Sequence, residues 1–183
     1  MNVLELTERA VKHLDKAVGL DDIAPQIRFI LLDGKEDGGM VGRWFKNSNT
    51  KAAFVEMVCE FILYSRKTDN PVTQLVFIAS AWSYEIPPDK REEAGEDWPM
   101  ERIKDEGVKT EVVMLSVETP TETHARRLEI LRDEEEKISG FREMDMGKPC
   151  STGGLLMNFF GKADAMAHGV SVDDYLDAEE TRH

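Results

Sequence analysis

Cysteine is nearly missing from this chain. Two thiols, Cys59 and Cys150, in 183 residues exclude a disulfide framework and a cysteine-rich zinc site. Long hydrophobic runs are missing too. No segment approaches the roughly 18 apolar residues of a membrane-spanning helix. The N-terminal MNVLELTERAVKHLDKAVG mixes acids into its apolar positions, unlike the hydrophobic stretch of a secretion signal. These absences lead one to expect a cytoplasmic protein without membrane contact.

Positive charge is scarce. Twenty-three Lys and Arg stand against 36 Asp and Glu, a net charge of −13. Such a surface repels phosphate backbones and anionic lipid, so direct nucleic-acid binding is not expected. It suits solubility, a partner with a basic surface, or imitation of a nucleic acid that inhibits a basic DNA-binding protein. Interleaving of the two signs, as in Lys90-Arg91-Glu92-Glu93, weakens the imitation reading.

Signature motifs are also lacking. There is no HExxH, no EF-hand loop, no GxxxxGK[ST], no GxGxxG and no GxSxG. DGKEDGG at 33–39 is glycine-rich but reads as a hairpin turn. No cofactor or metal is expected, and a binding role is favoured over catalysis. Asp164 and His168 stand four apart on one helix face, with Asp173, Asp174 and Asp177 nearby. A pair at that spacing is a weak metal signal, and a histidine at a helix C-terminus explains it as well.

What is present suits a folded domain. Apolar residues make up 41% and charged residues 32%, and a chain of this length buries roughly 70% of its unfolded surface. The expectation is one compact domain over 1–183, with an acidic loop insertion at 87–107 and a short C-terminal helix and tail at 170–183. Residues 3–18 carry Val3, Leu6, Ala10, Val11, Leu14 and Val18 at helical spacing, with His13 off that stripe and solvated. QIRFILLD at 26–33 reads as a strand covered on both faces, and MVGRWF at 40–45 as its hairpin partner. Residues 50–67 form a wide apolar helix. Strands follow at 74–86 and 109–120. The segment 123–145 has helical propensity, but the acidic turn after ARRLEILR and the glycine in KISGFRE favour a hairpin. Leu155, Leu156, Phe159, Phe160, Ala163 and Met166 give a helix ending at Gly169, and Ser171 to Asp174 starts the terminal one. The class is α+β: a largely antiparallel sheet of about five strands packed against three main helices.

Two segments invite function. Trp98, Pro99 and Met100 form an apolar island inside the acidic 87–107 segment. Exposed, they would anchor a protein partner or a second copy in a homodimer; otherwise they pin the loop to its own sheet. In KPCSTGG, Cys150 precedes Ser151, Thr152, Gly153 and Gly154. A helix start there would favour a thiolate nucleophile at Cys150, with His13, His124 or His168 as base, or an anion held by the turn at Ser151 to Gly154. It would equally serve as a tight entry into a core helix. Glu85 and Glu118, each near a strand end, are a further pair if the sheet edge brings them together. The first expectation is an interaction protein working through the Trp98-bearing loop or self-association. The second is a small enzyme or anion-binding protein using Cys150 to Gly154.

Overall fold

Alternation along one strand sorts the core. The computed structural model describes residues 2–45, 48–87, 90, 100–144, 157–172 and 174. In strand β3, Val72–Glu85, the side chains of Leu75, Phe77 and Ala79 join one apolar cluster, and Val76 and Ile78 join another. The period-2 pleat sends neighbours to opposite faces, so β3 is buried on both sides.

It belongs to a sheet of six strands, β1 (Gln26–Leu31), β2 (Glu36–Met40), β3, β4 (Val108–Glu118), β5 (Thr123–Arg132) and β6 (Ile138–Glu143), in the order β2-β1-β3-β4-β5-β6. Every neighbouring pair is antiparallel. The α-helices are α1 (Val3–Leu14), α2 (Ser48–Ser65), α3 (Met100–Glu106) and α4 (Phe159–Ala167). The α+β class stands, with six strands and four helices among the described residues in place of about five and three.

Helix α1 covers one face. Asn2 and Glu5 form a reciprocal capping box at its start, and Val3, Leu6, Ala10 and Leu14 pack on Val113, Leu115, Val117 and Leu128. Helices α2 and α4 cover the other face, where Phe54, Val58, Cys59 and Ile62 meet Phe29, Phe77 and Phe159. Phe159 lies edge-on to Phe54 and Phe77, at centroid distances of 6.3 and 6.1 Å. Such pairs add to the burial term. The both-faces reading of β1 holds: Ile27 and Phe29 enter the α2 cluster, and Ile30 enters the α1 cluster.

Segment 123–145 is a hairpin over its described part, turning at Asp133, whose N–H donates to the Lys137 carbonyl at 2.9 Å. Three local expectations give way. The partner of β1 is Glu36–Met40, not 40–45; Gly42–Phe45 is a 3₁₀ turn instead. An exposed edge strand needs no apolar alternation, because backbone pairing to β1 holds it. The segment expected as an acidic loop contains α3. His13 is half-buried rather than solvated.

Candidate functional site

β3 and β4 outrun their neighbours. β1 pairs with β3 only as far as Ile78, and β5 with β4 only as far as Val112. Trp82 to Glu85 and Val108 to Glu111 pair only with each other. The result is a two-stranded arm on the order of 13 Å long at ~3.3 Å per residue. Trp82 and Tyr84 fall on the α1 side of the sheet and Ser83 and Glu85 on the other. Trp82 is 54% exposed, and Lys109 Nζ sits 3.9 Å from its ring centroid, a cation–π contact that orients the ring without burying it. On the opposite face Arg127 braces the arm, donating to Ser83 Oγ at 3.2 Å and pairing with Glu85 at 3.0 Å. At its root, Arg132 grips Glu111 with two parallel bonds of 2.7 and 2.6 Å.

The arm carries the acidic connection. Residues 85–106 hold nine acids and four bases. Its described helix is α3, which turns straight into β4 at Gly107. A Cβ there would strike the Ile103 carbonyl and lie 2.9 Å from the Glu85 carbonyl, so only glycine permits the junction. Glu106 pairs with Lys90 at 3.0 Å and Arg102 at 2.9 Å. Their hydrogen bonds hold its carboxyl below the ordinary range.

A second polar cluster lies inside the core. Glu118, the last residue of β4, is fully buried. Its Oε1 accepts the Asn158 N–H at 2.8 Å and its Oε2 the Phe159 N–H at 2.7 Å. Asn158 caps α4 in the left-handed conformation (φ 58°) and makes no side-chain cap bond, so a strand carboxylate meets the unpaired N–H groups of the helix start. Lys162, also fully buried, donates to the Met157 carbonyl. Burial pushes the Glu118 carboxyl up to about 7, against the pull of those backbone donors and of Lys162. Cys59 Sγ lies 3.7 Å from the Phe159 carbonyl, and burial pushes its thiol up to about 12. That thiol is inert.

Glu85 and Glu118 do not meet. Glu85 pairs with Val108 and Glu118 with Leu75, at opposite ends of the β3–β4 ladder. Cys150, Ser151, Thr152, Gly153 and Gly154 lie outside the described residues, as do Trp98 and Pro99. Met100 is described only as the first residue of α3. Asp164 pairs with Arg66 at 2.5 Å, and His168 Nδ1 donates to the Asp164 carbonyl at 2.7 Å. Among the described residues no group of three or more His, Cys, Asp or Glu is placed to hold a metal, and no helix is long and apolar enough to cross a membrane.

The sequence puts Glu118 near a strand end, as the fold does, but does not single out Lys162. Lys162 left one signal, a charge between Phe160 and Ala163 on an apolar helix. A comparison with family models, curated proteins and solved structures found no match.

Proposed function

We propose that this chain is an interaction module that engages a basic protein surface with the β3–β4 arm and its acidic connection. The supporting observation is the arm itself: two strands that leave the sheet carrying an exposed indole. An aromatic anchor rimmed by charge is the usual anatomy of a binding surface. The net charge of −5 over 85–106, nine acids less four bases, steers a cationic partner toward it. Trp98 lies in the same connection and adds a second indole by sequence.

The test is a quantitative pull-down from native-host lysate with wild type, Trp82→Ala, Trp98→Ala and a deletion of 90–105, read by mass spectrometry. A partner with a basic surface that weakens at least tenfold with one of the substitutions, and weakens further in high salt, supports the reading. Enrichment that survives the deletion unchanged removes it. Light scattering on the same variants reports whether the partner is a second copy.

A further inference from the structure

Three arginines of this sheet present the same edge in different states. Arg132 uses its Nε and Nη2 on the two oxygens of Glu111, and Arg142 turns the same two nitrogens onto one oxygen of Glu129. These two nitrogens form the side-on fork of a guanidinium, whose parallel N–H groups match the two oxygens of a carboxylate or phosphate. In Arg28 both atoms are buried and neither has a hydrogen-bond partner. A buried donor left without a partner keeps the full cost of its desolvation, so an empty fork calls for an occupant.

Arg28 also lines a groove. Gln26, Arg28, Glu36, Gly38 and Met40 bound a space of about 300 Å³ along the β1–β2 hairpin. Opposite Arg28 in the ladder stands Gly38, at φ 142° and so close that a Cβ would strike the Ile27 carbonyl. Arg28 therefore has no side chain directly opposite it on β2. The carboxylate nearest its guanidinium is shared: Glu36 binds Arg9 at 2.9 Å and reaches Arg28 Nη1 at only 3.7 Å. Asp37, also in the lining, caps the Gly38 N–H at 2.7 Å.

The groove's lining sets one cation, Arg28, against the carboxylates of Glu36 and Asp37, and further cations stand behind it. Arg9, Lys16 and Arg28 all act on His13. Its imidazole is held below its ordinary range first by burial, then by Arg28 and Lys16, with Glu36 pulling the other way.

We propose that the β1–β2 groove is a binding site for a small oxyanion, a carboxylate or a phosphate, gripped side-on by Arg28. The Arg28 side chain is 21% exposed, so rotation about its terminal torsions brings the fork into the groove without opening the fold. Glu36 is the internal competitor that a ligand displaces from the guanidinium.

The test is NMR on ¹⁵N-labelled protein at constant ionic strength, following the Arg28 Nε–H signal. Sodium phosphate and sodium acetate are titrated separately against chloride. A saturable shift is expected with one or both, together with a rise in the His13 titration midpoint; the responding salt tells phosphate from carboxylate. Arg28→Gln abolishes both effects. Glu36→Gln leaves the fork intact and tightens binding severalfold, which keeps the test decisive if Arg28→Gln folds poorly. Shifts that stay linear in both salts, or that match the chloride control in Glu36→Gln, overturn the proposal.

Discussion

Glu118 Oε2 accepts the backbone N–H of Phe159 at 2.7 Å across 41 residues of sequence. One end of the bond is the last residue of a central strand; the other is the first residue of the helix closing the opposite layer. The contact sets where α4 begins and how Phe159 enters the aromatic cluster with Phe54 and Phe77. It also places a carboxyl where ionisation is costly.

That placement makes stability depend on pH in an unusual direction. The Glu118 carboxyl sits near 7 in the fold against an ordinary 4.5, so between those values the folded chain holds a proton that the unfolded chain releases. Stability therefore falls as pH rises through this window, by at most about 3 kcal/mol. Urea unfolding of wild type and Glu118→Gln from pH 4.5 to 8 checks it: the wild-type free energy declines relative to the variant and then levels. A flat difference would show that the carboxyl titrates as an ordinary one. Glu118→Ala, which leaves the Asn158 and Phe159 N–H groups buried without their acceptor, costs about 3 kcal/mol.

Cys59 resists chemistry. Its thiol is buried and raised to about 12, so in a Cys150→Ser background a disulfide reagent at pH 8 labels Cys59 only as fast as the protein unfolds. Labelling at the rate of a free thiol would contradict the packing of α2 against α4.

Gly107→Ala loosens the arm and spares the core. The added Cβ meets backbone carbonyls on both sides, which cannot swing away as a side chain can. Limited proteolysis is expected to cut within 88–107 severalfold faster than in wild type. The urea midpoint moves little, because Gly107 touches neither apolar cluster.

Much of the fold is written in local pattern. The stripe of α1, the wide apolar face of α2, the two-sided burial of β1, the strand at β3 and the hairpin over 123–145 follow from spacing and turn chemistry. β2 is not written there. Its sequence, Glu36-Asp-Gly-Gly-Met40, has neither alternation nor β-propensity, and only an available edge on β1 makes it a strand. α3 was hidden in a charged segment whose composition suits loop and helix alike. The polar sites were less legible still. Glu118 is one acid among 36, and nothing beside it in sequence announces a helix start arriving from another layer. The empty fork of Arg28 needs the burial of two particular nitrogens, which no pattern encodes.

The sequence by itself determined the class of this protein. Net charge, scarce thiols and apolar periodicity set an acidic α+β chain without a disulfide framework, because those properties are sums or local repeats. Only the tertiary structure decided which polar groups matter. Strand register carried Trp82 beyond the sheet, sealed Glu118 beneath α4 and left Arg28 facing a glycine. Register and layer packing join residues distant in sequence, and burial, the quantity that turns a common side chain into a site, exists only after they have met.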